Sequence, residues 1–184
     1  MVSNFSAHTA PVTSVCLIPG SEEDGTCTVA TASHDLTGQI SRLSLGSSET
    51  EALATLHLHA SPLSSIASNS SGSHLLTSSW DCLIGLWDTT VPSQDEVSSV
   101  PVDGERKKRR KVAEKQSDEP KRKAPLSVLK SHTARVSKVI FGNAESGKGE
   151  SVAYSCGFDS TVRTWDVENG ICTNTVVSNC LCCI

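Results

Sequence analysis

Apolar and polar positions alternate along this chain in short bursts separated by turn-forming residues, a period-two pattern that predicts half-buried β-strands. The clearest stretch runs from residue 63 to 87. LSSIA (63–67) alternates, GS (72–73) marks a turn, HLLTSS (74–79) is a second strand, WDC (80–82) turns again, and LIGLW (83–87) is a third. Outer strands of similar character are predicted at ALATLHL (52–58), PLSVL (125–129) and CTNTVV (172–177). The unit is therefore a small antiparallel sheet of strand, turn, strand, tight turn, strand and an outer strand.

The unit recurs. SSWDCLIGLWD (78–88) and CGFDSTVRTWD (156–166) align on Asp81 and Asp159, which places Thr77 and Ser155 four residues earlier, Trp87 and Trp165 six residues later, and Asp88 and Asp166 directly after each Trp. Upstream, HASPL from His59 and HTARV from His132 open each unit, and HTAPV from His8 opens another that reaches Thr31 and Asp35 in VATASHD. Short strands repeating with an Asp turn and a closing Trp-Asp are the WD-repeat signature of a β-propeller. The fold class expected is all-β, a partial WD-repeat β-propeller of about three blades plus one strand.

Tight-turn geometry accounts for the residue types. An Asp at the bend can accept from backbone N–H groups that lack ladder partners. A His beside it can donate one ring nitrogen to that carboxylate and accept from a Ser or Thr hydroxyl, which in turn accepts from the Trp indole. Complete chains are expected at His59, Thr77, Asp81, Trp87 and at His132, Ser155, Asp159, Trp165. The first unit has His8, Thr31 and Asp35 but carries Ser41 at the Trp position, so its chain should be shorter and weaker. Ser, His and Asp are also the parts of a hydrolase triad, but a catalytic hydroxyl must be exposed beside an oxyanion hole, whereas these recur inside strands. GNAESGKG (142–149) approaches a phosphate loop but has Gly149 where Ser or Thr should bind magnesium, and the strand SVAYS rather than a helix follows. No enzyme activity, cofactor or metal is expected.

Charge divides the chain. The formal net charge is −4, yet residues 89–125 hold ten Lys or Arg against seven Asp or Glu, a net +3 that leaves −7 elsewhere. This stretch contains no aromatic, Leu or Ile, and is expected to be a disordered insertion between the blades at 1–88 and those at 126–184. Its basic clusters, Arg106, Lys107, Lys108, Arg109, Arg110, Lys111 and then Lys121, Arg122, Lys123, suit an import receptor that reads extended basic side chains. Sequence-independent contact with RNA phosphates is the accompanying expectation. Cys16, Cys27, Cys82, Cys156 and Cys172 read as small core residues in a reducing compartment, and CLCCI lacks the paired spacing zinc requires. The sequence has neither a leader nor an apolar run that would span a membrane, so a soluble, unsecreted protein is expected, in which the Asn4 and Asn69 sequons have no role.

In unit order and in the placement of the basic insertion, VATASHDLT, HASPLSSIA, GSHLLTSSWDCLIGLWDTTVPSQDE, LKSHTARVSKVIF and STVRTWDVENG, the chain resembles the WD-repeat subunits of the PeBoW complex. The resemblance implies a non-enzymatic scaffold in nuclear and nucleolar assembly of the large ribosomal subunit and maturation of the 5.8S and 25S/28S rRNA. It also implies pescadillo and the block-of-proliferation protein as partners, and a seven-bladed propeller. The sequence begins within what looks like that family's second blade and stops at the first strand of the fifth, which reads as a fragment or truncated gene model of poor solubility. No residue matches the family's ubiquitin-like domain, so engagement of the ATPase midasin is not carried over. The rival reading is a WD-repeat substrate adaptor of a ubiquitin ligase or chromatin complex.

Overall fold

The computed structural model describes residues 7–20, 25–44, 46, 50–96, 120–142 and 151–177. Its first sheet is built from β1 (Val12–Ile18), β2 (Thr26–Ser33), β3 (Thr37–Ser44) and β4 (Thr50–His57). The second begins with β5 (Leu63–Ser68), β6 (His74–Ser79) and β7 (Leu83–Asp88). After the insertion, β8 (Lys121–Lys123) returns to the first sheet and β9 (Ser127–Lys130) completes the second. The third holds β10 (Val136–Phe141), β11 (Val152–Gly157), β12 (Thr161–Asp166) and β13 (Ile171–Val177). Four strands of each sheet form an antiparallel meander in chain order, with β8 added in parallel at the edge of the first, and this is the blade architecture of a partial β-propeller.

The blades stack face to face, and the alternation along each strand decides which core a residue enters. Leu75 faces the first blade, where it packs with Ile18, Ile40, Leu56 and Trp87. Its neighbour Leu76 faces the third blade and packs with Val136, Val139 and Trp165. Both faces of β6 are thus buried, which is why HLLTSS carries adjacent leucines rather than a strict alternation. The innermost strands are also joined by hydroxyls at one repeat position, five residues after the network His. Thr13 Oγ1 donates to the Leu63 carbonyl at 2.9 Å, and Ser64 Oγ to the Val136 carbonyl at 2.6 Å. In the third blade the equivalent Ser137 turns to its own sheet, donating to the Cys156 carbonyl at 3.1 Å. The opposite faces of the outer blades expose apolar residues, Val15 and Leu17 on the first and Ile140, Tyr154 and Val162 on the third.

Two expectations need correction. Lys121–Lys123, read as part of a disordered segment, form β8, which pairs in parallel with β4 through Ala54↔Lys121, Thr55↔Arg122 and Leu56↔Lys123. Composition misses this because β4 is an edge strand whose free backbone groups accept any short extended segment, whatever its side chains. Residues 89–96 and 120–125 are described, while 97–119, including Arg106 to Lys111, lie outside the described residues, as do CLCCI and all of GNAESGKG beyond Gly142. The five described cysteines, read as core residues, are half-buried free thiols. Burial still pushes Cys16 up to about 11.

Candidate functional site

Each blade carries a polar chain at the end where its second and third strands turn. In the second blade His59 Nδ1 lies 3.0 Å from Asp81 Oδ2 and Nε2 lies 2.8 Å from Thr77 Oγ1, while Trp87 Nε1 donates to that same hydroxyl at 2.9 Å. In the third, His132 Nδ1 is 2.8 Å from Asp159 Oδ2, Nε2 is 2.7 Å from Ser155 Oγ, and Trp165 Nε1 donates to Ser155 at 2.8 Å. Because the carboxylate can only accept, the proton of the neutral ring sits on Nδ1, so Nε2 accepts from the hydroxyl, and the hydroxyl in turn accepts from the indole. One consistent set of donors and acceptors therefore runs from strand interior to turn.

The carboxylates also fasten two segments of backbone. Asp81 accepts from the Ala60 amide at 3.1 Å and the Leu83 amide at 3.0 Å. Asp35 does the same for Thr9 and Thr37, and Asp159 for Thr133 and Thr161. Burial alone would raise these acids. For Asp159 it is outweighed by the Thr161 hydroxyl, the His132 ring and the Thr133 amide, which hold it down at about 2. Asp35 and Asp81 are likewise held below the ordinary 3.8, Asp35 chiefly by the Thr37 hydroxyl and Asp81 by His59. Burial lowers His132 despite its acidic partner, which favours the neutral ring the chain needs.

The first blade joins His8 to Asp35 at 2.9 Å and to Thr31 at 2.8 Å, but has no indole to complete the chain. Besides His8, Thr31 Oγ1 has only the Gln39 carbonyl near it, at 3.4 Å, where the other blades supply an indole. Ser41, at the Trp position, is 1% exposed, and its hydroxyl has no hydrogen-bond partner, nor has the buried Gln39 Oε1.

Several contributors give no repeat-wide signal in the sequence. The Thr37 and Thr161 hydroxyls donate to Asp35 and Asp159 at 2.6 and 2.7 Å, but Leu83 occupies that position in the second blade. Opposite Thr77 stands Gly85, where an added Cβ would lie 2.8 Å from each of Thr77 Oγ1, Trp87 Nε1 and Leu58 Cδ2. Leu36, Cys82 and Ser160, each following the turn Asp, all adopt a left-handed backbone without being Gly or Asn.

Asp88 and Asp166, equivalent in sequence, do different work. Asp166 caps the turn into β13 by accepting from the Asn169 amide and side chain. Asp88 receives the Lys123 ammonium, which also donates to the Thr90 carbonyl at 2.7 Å. Lys123 is 1% exposed, although it was expected to be available to an import receptor. Its hydrocarbon stem packs inside while the ammonium finds three oxygens, so the ion pair binds the two ends of the insertion together. Arg122 and Ala124 add to this clamp, their amides donating to Asp95 and Glu96 at 2.8 and 3.0 Å.

The chemistry available to these groups is limited by access. Thr77 is 0% and Ser155 3% exposed, and both hydroxyls already engage a His and a Trp, so no substrate can reach either of them. Among the described residues no cluster of His, Cys, Asp and Glu could hold a metal ion.

Comparison with known proteins agrees with this architecture. The WD domain, G-beta repeat family matches residues 50–88 and 123–166. Ribosome biogenesis protein YTM1 of Laccaria bicolor is 50% identical over 97% of this chain and 40% of its own length. That of Coprinopsis cinerea is 51% identical over 92% and 38%. Ribosome biogenesis protein WDR12 homolog of Arabidopsis thaliana is 33% identical over 90% and 36%. The chain thus spans about two fifths of the length of the curated relatives it matches. From the recurrent His–hydroxyl–Trp–Asp networks, the stacked sheets and this extent of identity, the chain belongs to the WD-repeat proteins of the YTM1 and WDR12 type.

Proposed function

We propose that the chain is the rigid part of a non-enzymatic scaffold that takes part in assembling the large ribosomal subunit in the nucleus and nucleolus, including maturation of the 5.8S and 25S/28S rRNA. The observation carrying this reading is identity of about half over nearly the whole chain to proteins named for ribosome biogenesis. The hydroxyls of Thr77 and Ser155 support the absence of catalysis, since each is buried and consumed in holding a blade. Pescadillo, the block-of-proliferation protein and the large-subunit pre-ribosome are the partners of this reading. Purification of the tagged chain from cells tests it: large-subunit precursor rRNA together with the block-of-proliferation protein is expected. Recovery of ubiquitin-ligase or chromatin subunits in their place would overturn it in favour of an adaptor role.

Nuclear entry in this reading uses Arg106 to Lys111, with any contact to RNA phosphates being sequence-independent. The second basic cluster is assigned elsewhere, because Lys123 is buried and the Arg122 amide is bonded in the clamp. Replacing Arg106 to Lys111 by alanine should abolish nuclear accumulation of a fluorescent fusion, and Lys121→Ala with Arg122→Ala should leave it intact. The reverse pattern would sink this division of labour.

A further inference from the structure

Of the three Trp in the chain, Trp87 and Trp165 are buried in the polar chains, whereas Trp80 is 37% exposed at a turn. It directly precedes Asp81, and the same place in the neighbouring turns is held by His34 and Phe158, the latter 51% exposed. Each of these residues is stitched by its amide to the loop that enters the innermost strand. His34 N donates to the Pro11 carbonyl at 3.0 Å, Trp80 N to Pro62 at 3.1 Å and Phe158 N to Arg135 at 2.8 Å. Arg135 breaks the repeat, standing where the other blades have Pro. Its guanidinium lies over the Trp80 ring, 4.4 Å from the centroid, while His34 meets that ring edge-on at 5.3 Å. A row of His34, Trp80, Arg135 and Phe158 thus crosses three adjacent blades on one end of the molecule.

The networks beneath do not require this row. The His-to-carboxylate distance is 2.9, 3.0 and 2.8 Å in the three blades, whether His, Trp or Phe precedes the Asp. What the networks do is immobilise the turns that carry the row, so its side chains meet a partner at low entropic cost. We propose that this row is a docking surface for a protein segment presenting an acidic side chain beside an apolar one. In the turns and loops that frame it, residues 9–11, 34–36, 60–62, 80–82, 133–135 and 158–160, the only Lys, Arg, Asp or Glu besides the three engaged aspartates is Arg135. Held over the indole, the Arg135 guanidinium is placed to donate to a carboxylate, and Trp80 and Phe158 supply apolar area of the kind that dominates interfaces. Single-stranded RNA fits less well, because one cation offsets one phosphate and backbone affinity grows with the number neutralised. This inference does not depend on the role in ribosome assembly and can fail or hold independently of it.

The test is selection from a phage-displayed random peptide library on the full chain, followed by affinity measurement against Arg135→Glu, Trp80→Ala and Phe158→Ala. Enriched peptides should carry Asp or Glu beside an apolar residue and bind Arg135→Glu and Trp80→Ala about tenfold or more weakly. Changing the peptide acid to Lys should restore binding to Arg135→Glu, which a merely unfolded variant could not do. The proposal is overturned if no peptide is enriched, if enriched peptides bind all variants alike or are basic, or if labelled oligouridylate binds through Trp80 in their place.

Discussion

Replacing Asp81 by alanine removes one carboxylate that serves three donors. Water can replace it at the exposed Ala60 amide, so that bond contributes little. The His59 ring is different: it is 8% exposed, and its Nδ1 proton has no acceptor but Asp81 at 3.0 Å. The Leu83 amide, 3.0 Å from Oδ1, is part-buried and lies at the apex of the turn. An unsatisfied buried donor costs about 1 to 3 kcal/mol, so one such donor plus partial loss at Leu83 should destabilise the protein by about 2 to 3 kcal/mol. Asp81→Asn keeps one acceptor oxygen and should fall between the wild type and Asp81→Ala. Urea unfolding followed by tryptophan fluorescence measures it, since Trp87 sits at the far end of the same polar chain and is fully buried. Asp166→Ala, which touches only its own exposed turn, is the internal comparison and should shift the midpoint far less. An Asp81→Ala protein within about 0.5 kcal/mol of the wild type, the range of ordinary surface substitutions, would refute the claim that the network holds the blade.

Three further outcomes are expected. Ser41→Ala should raise stability by up to about 1 kcal/mol in the same assay, because the hydroxyl it removes is buried and unbonded. Gly85→Ala should cost about 1 to 3 kcal/mol by thermal unfolding, since its methyl would collide with the Thr77 hydroxyl and the Trp87 indole nitrogen at 2.8 Å. Acid should loosen the third blade in two stages. Folding lowers His132 below its ordinary 6.5, so its contribution is complete above that pH and declines as pH falls towards the folded value. Folding also lowers Asp159 from 3.8 to about 2, so that contribution is present above about pH 4 and is lost as pH drops to about 2. Hydrogen exchange of the Thr133 and Thr161 amides against pH reads both, and greater protection at pH 3 than at pH 7 would contradict the sign.

The linear sequence determined the repeat, and with it the His–hydroxyl–Asp–Trp sets, because a chemical chain that must satisfy every buried polar group admits few residue types at each link. The shorter chain of the first blade was legible for the same reason: Ser41 cannot donate where an indole does, and in the structure its hydroxyl is unbonded. Edges, crossings and stacking were decided only in three dimensions. Lys121–Lys123 became a strand because β4 offered an open ladder, and Lys123 entered the interior because Asp88 and Thr90, more than thirty residues away, surround its ammonium. No composition rule over a basic run can see either partner. The left-handed turn residues Leu36, Cys82 and Ser160 carry no local signature, since each follows a carboxylate that ties its turn to the distant loop entering the blade's first strand. The row from His34 to Phe158 exists only when blades stand side by side, because it joins turns and loops of three blades that are far apart along the chain.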